Sequence, residues 1–192
     1  MDNRMQEIRQ RIEDLLAREA TVLIAIDGNC TAGKTTLAGT LAEQYDCNVF
    51  HMDDYFLRPE QRTPERLAEA GGNVDYERFR EEILLPLTEG RQVCYRRYDC
   101  HSRTLQEPVT VPRRRLNIVE GTYSRHPSFG DSYGLTVFLS VPADLQRQRI
   151  GLRPAGIQQR FFGEWIPMEQ QYFRAFDVKE TSDLVIDGID LI

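Results

Sequence analysis

A glycine-rich segment between an apolar run and a helical pattern constrains this chain more than any other feature. The segment reads Gly28-Asn29-Cys30-Thr31-Ala32-Gly33-Lys34-Thr35 and fits the pattern G-x-x-x-x-G-K-[ST]. Residues 22–26 before it are apolar, and helical spacing of apolar residues follows it. In a strand, loop and helix of this kind, successive backbone N–H groups and the helix N-terminus converge and bind phosphate. The sequence therefore predicts a nucleoside triphosphate site.

The side chains of this loop indicate how the nucleotide is held. Lys34 can reach the β- and γ-phosphates of ATP, and the Thr35 hydroxyl can ligate Mg²⁺. Gly28 and Gly33 avoid a side chain that would block the turn or the approach of the phosphates. The predicted ATP-binding residues are Gly28, Asn29, Cys30, Thr31, Ala32, Gly33, Lys34, Thr35 and Thr36. ATP and Mg²⁺ are thus the expected cofactors, with the preference between ATP and GTP left open.

Composition excludes several other classes of protein. The 192 residues suffice for one α/β domain, and a net charge of −6 argues against nucleic-acid and membrane-surface partners. No apolar run approaches the roughly 20 residues that cross a bilayer, and residues 1–5 lack the core of a signal peptide. The four cysteines form no C-x-x-C pair, which indicates free thiols and a cytoplasmic location. A redox role for Cys30 is less favoured than simple tolerance of a small residue in the loop.

Strand and helix patterns alternate along the chain. Strands are predicted over residues 21–27, 48–52, 116–119, 135–139 and 184–186. Helices are predicted over residues 3–19, 34–45 and 76–87, from Pro142 onward, and around 168–176. This order predicts an α/β fold: a P-loop NTPase-type, doubly wound parallel sheet flanked by helices. The first helix is expected to cover the sheet. Its alternative role is to mediate a homo-oligomer.

Two segments interrupt this alternation within a single predicted domain, 1–192. Proline and glycine in residues 57–74 predict a loop with at most a short helix, and residues 91–113 predict an antiparallel hairpin. We therefore expect an acceptor-site insertion at about 57–113. An arginine-rich lid is expected at about 147–162, where Arg149 and Arg153 share a helical face and could stabilise a moving phosphoryl group. A solvated helix face is the alternative for this lid.

Carboxylates follow two of the predicted strands. Asp53 and Asp54 come after the second strand, and Glu120 comes directly after residues 116–119. Ligands of such sheets bind outside the carboxyl ends of the strands. Asp53 is therefore the candidate base for a hydroxyl acceptor, and Glu120 the candidate carboxylate near Mg²⁺, directly or through water. The alternative for Asp53 or Asp54 is to cap the following turn.

Several segments together resemble one family. Besides the glycine-rich loop with Asp27, they are His51-Met52-Asp53-Asp54-Tyr55-Phe56, Asn73-Val74-Asp75-Tyr76, Tyr98-Asp99-Cys100-His101-Ser102-Arg103 and Val119-Glu120-Gly121. The chain resembles the group of P-loop kinases that contains uridine kinase, phosphoribulokinase and nicotinamide riboside kinase. The resemblance covers residues 21–176 and is greatest to bacterial uridine kinase-like proteins.

This resemblance implies roles for individual side chains. Asp53 matches the catalytic aspartate, Lys34 and Thr35 match the nucleotide and Mg²⁺ residues, and Glu120 matches the acidic residue at the strand end. Asp75 matches a carboxylate that holds ribose hydroxyls, with a helix cap as its alternative.

For the nucleobase and the lid, the resemblance implies further residues. Tyr98 and His101 lie near the stretch that contacts the base, with packing in the hairpin as their alternative, and Arg149 and Arg153 match basic lid positions. Between Tyr98 and His101 the chain is two residues shorter than the uridine–cytidine kinase pattern, and its lid lacks a long charged segment.

Three functions follow from these observations. The leading hypothesis is an ATP-dependent phosphotransferase whose partner is a small-molecule hydroxyl acceptor, uridine or cytidine first, with nicotinamide riboside and pantothenate as alternatives. A nucleotide-dependent switch or regulatory ATPase is the second, although the N-K-x-D pattern of small GTPases is absent. A nucleoside-monophosphate kinase is the third, and it is disfavoured because Asp53, Asp54 and Asp75 would repel an anionic acceptor.

Overall fold

Five parallel strands form the central sheet of the computed structural model, which describes residues 3–188. The strands of the chain are β1 (Val22–Gly28), β2 (Cys47–His51), β3 (Cys94–Tyr95), β4 (Tyr98–Asp99), β5 (Thr104–Leu105), β6 (Val109–Thr110), β7 (Leu116–Glu120), β8 (Leu135–Ser140) and β9 (Leu184–Asp187). The central sheet has the order β2-β7-β1-β8-β9, and each neighbouring pair in it is parallel. This confirms the predicted doubly wound α/β fold.

Helices cover both faces of this sheet. They are α1 (Asn3–Arg18), α2 (Lys34–Ala42), α3 (Pro64–Ala68), α4 (Tyr76–Phe79), α5 (Leu85–Thr88), α6 (Ala143–Gly151), α7 (Ala155–Arg160) and α8 (Ile166–Ala175). All seven residues of β1 are buried, as expected for a parallel strand that is covered on both sides. One apolar cluster joins the sheet to α1 and α2, and a second joins it to α4, α5 and α8.

The N-terminal helix packs on the sheet as its apolar stripe predicts. Ile8, Ile12 and Leu15 of α1 are buried in the same cluster as the side chains of β1 and β8. Spacings of three and four residues place these side chains on one face of the helix. The helix therefore covers part of one face of the sheet.

Two helical segments widen into π-helix just before a proline. Residues Arg80–Leu84 connect α4 with α5, and Phe161–Trp165 connect α7 with α8. Pro86 and Pro167 lie two residues beyond these segments, lack an N–H, and crowd the carbonyl four residues earlier. The chain thus continues the helix at the cost of one wide turn in each case.

The insertion contains the predicted antiparallel hairpin. β3 pairs with β6, and β4 pairs with β5, so two short ladders follow one another along the same hairpin. Strand β4 packs against a 3₁₀ turn, Met52–Tyr55, that follows β2. Residues 57–74 contain the 3₁₀ turn Pro59–Gln61 and the short helix α3, in agreement with the expected loop and short helix.

A buried histidine lies between β7 and β8. The imidazole of His126 stacks on the Tyr76 ring, with 4.1 Å between centroids, and its Nδ1 accepts the Ser128 N–H at 3.2 Å. Burial disfavours the imidazolium, and the nearby Arg66 charge adds to this, so the pKa of His126 is lowered from 6.5 to about 4. The neutral ring is therefore the form that the fold accommodates.

This histidine predicts how stability depends on pH. Because its folded pKa lies below its unfolded value, its contribution is complete above pH 6.5 and is lost as the pH falls toward 4. At pH 5 the loss should be about 2 kcal/mol in the free energy of unfolding, measured with urea against pH 7.5. His126→Asn should lose this part of the pH dependence, whereas His101→Asn, at an exposed position, should keep it. An unchanged pH dependence in His126→Asn would contradict the assignment.

Candidate active site

Three adjacent strands end at one edge of the sheet and bring the predicted site residues together. In the register of β2, β7 and β1, His51 lies beside Glu120, and Glu120 lies beside Ile26. The glycine-rich loop continues β1, and the turn with Asp53 continues β2. The loop, Glu120 and Asp53 therefore surround one crevice at the carboxyl edge, where α/β sheets bind ligands.

The backbone of the loop depends on its two glycines for different reasons. Gly28 has φ 134°, and a Cβ there would lie 2.0 Å from the Leu139 carbonyl oxygen, so no side chain fits. Gly33 has φ 101° and open space around it, so its positive φ is what requires glycine. It forms the N-cap of α2, which directs the N-terminus of that helix toward the loop.

The ammonium of Lys34 folds back onto the loop. Its Nζ donates to the carbonyl oxygens of Gly28 and Asn29, each at 2.8 Å, and the side chain is buried. The charge is thus held inside the curve of the loop, where the phosphates of a nucleotide would replace the carbonyls as acceptors.

A buried carboxylate lies behind the loop. Asp27 is fully buried and accepts the Gly28 N–H at 2.7 Å, the Tyr172 hydroxyl at 2.8 Å and the Arg125 N–H at 3.0 Å. Desolvation raises its pKa, and these donors and Lys34 oppose the rise. Asp27 therefore anchors the start of the loop to α8 and to the segment after β7.

The two predicted Mg²⁺ residues meet at this edge. The Thr35 hydroxyl donates to Glu120 Oε1 at 3.2 Å, and His51 Nδ1 contacts the same oxygen at 2.5 Å. The hydrogen bond that the His51 ring donates to Glu120 raises the pKa of His51. Within residues 3–188, no three His, Cys, Asp or Glu side chains form a group that could hold a metal by themselves. A hydroxyl and a carboxylate are hard oxygen donors that fit Mg²⁺ shared with phosphates and water.

The adjacent carboxylates of Asp53 and Asp54 have different surroundings. Asp53 is exposed to the crevice, where neighbouring protein partly desolvates it. This desolvation and the Glu120 charge raise the pKa of Asp53, whereas the Lys34 and His51 charges oppose the rise. Asp54 is half-buried and forms an ion pair with Arg97 at 3.6 Å. Asp53 is therefore the carboxylate that a ligand in the crevice can contact.

The predicted ribose residue is engaged within the protein. Asp75 is 2% exposed, and its carboxylate accepts the Arg78 N–H at 3.1 Å and the Gln61 amide at 2.9 Å. It also forms an ion pair with the Arg78 guanidinium at 3.4 Å. This is the N-cap arrangement of α4, the structural alternative for this residue.

The hairpin contributes an exposed rim and a buried ring. Tyr98 is buried, and the side chain of His101 is exposed while its N–H donates to Asp99 at 2.8 Å. Partial burial and the Asp53 charge raise the pKa of the Cys100 thiol, and Arg62 and Arg160 oppose this rise. The hairpin turn therefore lies close to Asp53 in the crevice and to Arg160 of α7.

The lid arginines lie in different positions. Arg149 of α6 donates to the Thr31 carbonyl of the loop at 2.8 Å, whereas Arg153, beyond the end of α6, is exposed. Arg160 of α7 lies over the Trp165 ring at 4.7 Å. Of the two predicted lid arginines, the structure brings Arg149 to the loop and leaves Arg153 in solvent.

Sequence reasoning missed two side chains that bind the backbone of Cys30 in the loop. Glu169 of α8 accepts the Cys30 N–H at 2.9 Å, and Gln146 of α6 donates to the Cys30 carbonyl at 3.2 Å. One signal existed for Glu169: it lies three and four residues before the buried Tyr172 and Phe173, so it shares their apolar face. An acidic residue on such a face calls for a buried partner.

Comparison with solved structures defines the fold. The chain is 23% identical to a possible uridine kinase from Bacillus stearothermophilus, with TM-score 0.69 over 94% of this chain and 100% of that one. It is 20% identical to a putative fructose transport system kinase from Silicibacter sp. TM1040, with TM-score 0.65 over 95% and 98%. It is 12% identical to D-glycerate 3-kinase from Cryptococcus neoformans var. grubii, with TM-score 0.70 over 97% of this chain and 96% of that one.

These likenesses show that the chain shares the fold of these three structures, the α/β fold that the motifs predict. No protein-family model matches the sequence, and no curated protein matches it. Among the described residues, no helix has both the length and the apolar character that a membrane span requires.

The environment of Cys30 predicts that alkylating reagents modify it more slowly than the exposed cysteines. Burial, followed by the Glu169 charge, raises the pKa of the Cys30 thiol to about 12, so it stays protonated at pH 8. Iodoacetamide should therefore modify the exposed Cys94 and Cys100 at least about tenfold faster than Cys30, as measured by peptide mass spectrometry. In urea the difference should disappear. Equal labelling of Cys30 and Cys94 in the folded protein would contradict this environment.

Proposed function

We propose that this protein is an ATP-dependent phosphotransferase that moves the γ-phosphate to a hydroxyl of a small metabolite. The observation that carries the proposal is the exposed Asp53 carboxylate, which shares a crevice with Lys34 and with the Thr35–Glu120 pair. Phosphoryl transfer to an alcohol needs a base, a cation on the phosphates and a bound metal in this kind of proximity.

The residues divide the chemistry between them. The loop N–H groups and Lys34 hold the phosphates, and Thr35 and Glu120 would hold Mg²⁺, which neutralises charge on the β- and γ-phosphates when bound. Asp53 accepts the proton of the acceptor's hydroxyl group while the oxygen of that hydroxyl bonds to the γ-phosphorus. The bond from that phosphorus to the leaving ADP oxygen breaks. Arg149, already bonded to the loop, adds positive charge beside the phosphates.

Uridine and cytidine are the first acceptors that we propose. The fold shared with a possible uridine kinase and the match of residues 51–56 to the family motif support them. Nicotinamide riboside offers the same primary hydroxyl on a ribose. In this proposal, residues 57–113 form the acceptor side and residues 147–162 the lid of one domain in the cytoplasm.

A specific observation favours a second acceptor class, an alcohol that also carries a carboxylate, such as pantothenate. Arg62 and Arg103 are exposed and form no ion pair within residues 3–188. Burial raises the pKa of Tyr98, and both arginine charges oppose that rise, so both face the hairpin. Asp75 is engaged by Gln61 and Arg78, which leaves fewer acceptors for ribose hydroxyls. A structural neighbour is described as a kinase of glycerate, itself a hydroxy acid.

A regulatory ATPase needs no acceptor, and the open carboxylate at Asp53 favours the kinase over it. The distinction is direct: a kinase releases ADP quickly only when its acceptor is present. A switch protein hydrolyses ATP slowly whatever small molecule is added.

Replacement of Asp53 tests the proposed base. ADP release from MgATP should be measured with nucleosides, ribosides, pantothenate, glycerate and sugars as acceptors. For the acceptor that gives turnover, Asp53→Asn should lower kcat by about 10²–10⁴ because the base is lost. MgADP binding, measured by calorimetry, should stay within about threefold, because the variant retains the loop and Lys34.

The matched control is Asp131→Asn, an exposed carboxylate that precedes β8, and it should leave turnover unchanged. Full activity in Asp53→Asn would overturn the assignment. Acceptor-independent hydrolysis in both proteins would favour the regulatory ATPase.

The raised pKa of Asp53 predicts the pH profile. The carboxylate acts as base only when ionised, so kcat/KM should fall as the pH drops through its pKa. Since that pKa lies above 3.8, the acid limb should lie at a higher pH than an ordinary aspartate would give. The residual activity of Asp53→Asn should lack this limb. A limb that is unchanged in the variant would belong to another group.

A further inference from the structure

Both helices that border the lid rest on the phosphate loop. Gln146 of α6 donates to the Cys30 carbonyl at 3.2 Å, and Arg149 of the same helix donates to the Thr31 carbonyl at 2.8 Å. From α8, Glu169 accepts the Cys30 N–H at 2.9 Å. The segment between these helices, residues 152–165, contains most of the proposed lid, so the loop contacts the helix before this segment and the helix after it.

The carboxylate of Glu169 is buried and surrounded by donors. It is 2% exposed, and its second oxygen accepts the Gln146 amide at 3.2 Å. The Asn29 side chain also donates to it, and the Lys34 charge stabilises it. Burying a carboxylate is costly without such partners, and three of the groups around it belong to the loop itself. The polar groups that stabilise this carboxylate therefore come mainly from the loop.

The loop at this point needs support. Thr31 has φ 62°, a left-handed conformation that is costly for a residue with a branched side chain. The preceding residue, Cys30, is bound through its N–H by Glu169 and through its carbonyl by Gln146. Because the N–H and the carbonyl of Cys30 are both bound, the two peptide units that flank its Cα are fixed, and with them the direction of the next N–H groups, which form the phosphate site.

We infer that Glu169 is a positioning residue that holds the phosphate loop in its nucleotide-binding conformation through the Cys30 N–H and the Gln146 amide. It does not touch the reacting atoms in this assignment. The inference rests on the proposed function, because it requires that the loop bind a nucleotide.

Glutamate is better suited to this position than its amide. A carboxylate only accepts hydrogen bonds and can accept from Cys30, Gln146 and Asn29 together. A glutamine at position 169 would turn a donor toward one of these three donors. Glu169→Gln, of nearly the same shape, should therefore weaken the arrangement without leaving a cavity, whereas Glu169→Ala removes it.

The test measures MgADP binding by calorimetry. It also measures steady-state kinetics with the acceptor that gives turnover in the ADP-release assay. Glu169→Ala should weaken MgADP binding about tenfold, equivalent to one charge-assisted hydrogen bond, and Glu169→Gln should weaken it by a smaller factor. KM for MgATP should rise in parallel, while kcat and KM for the acceptor stay within about threefold. Glu180→Gln, at an exposed acidic position, is the matched control and should bind like the wild type.

The outcomes separate the inference from the proposed function. A lower unfolding temperature together with unchanged MgADP affinity in both Glu169 variants would show a merely structural role and overturn the inference. A loss in kcat with unchanged KM for MgATP would overturn it as well. If the wild-type protein does not bind MgADP, the proposed function fails first, and the inference falls with it.

Discussion

The buried ammonium of Lys34 is the interaction on which the rest of the site depends. Burial raises the pKa of three carboxylates, Asp27, Asp53 and Glu169, and the Lys34 charge opposes each of these rises. Each of these carboxylates then has a separate place: behind the loop, in the crevice, and beside the loop. A positive charge at the centre lets a sheet edge hold this much negative charge.

A second buried cation, Arg78, organises the segment that follows β2. The guanidinium of Arg78 lies over the Tyr55 ring at 4.1 Å and donates to the Asp54 carbonyl at 2.9 Å and the Arg96 carbonyl at 2.6 Å. It thereby joins the turn after β2, the helix that begins at α4 and the base of the hairpin. Asp53 faces the crevice because Arg78 fixes its neighbours in that turn, Asp54 and Tyr55. The loop and the turn that carries Asp53 thus each depend on one buried cation.

The amino-acid sequence determined the parts of this protein that follow from local patterns. The G-x-x-x-x-G-K-[ST] spacing specified the loop, because only glycine adopts the φ of Gly28 without meeting the Leu139 carbonyl. Apolar runs of strand length and helical spacings specified the parallel sheet and its helices. Alternation in residues 91–113 specified an antiparallel hairpin. Strand ends carrying Asp53 and Glu120 indicated the edge of the candidate site, since the carboxyl ends of parallel strands lie together.

The tertiary structure alone decided which polar side chains face the crevice and which serve the fold. Asp53 and Asp75 are both aspartates in family-like motifs, yet one is exposed and the other caps a helix beside Arg78. Glu169 reaches Cys30 across 139 positions of sequence, a contact that no local pattern encodes. The physical reason is that hydrogen-bond partners are set by the packing of α6 and α8 on the loop. Sequence determined the loop and the sheet edge, and packing decided what holds them in place.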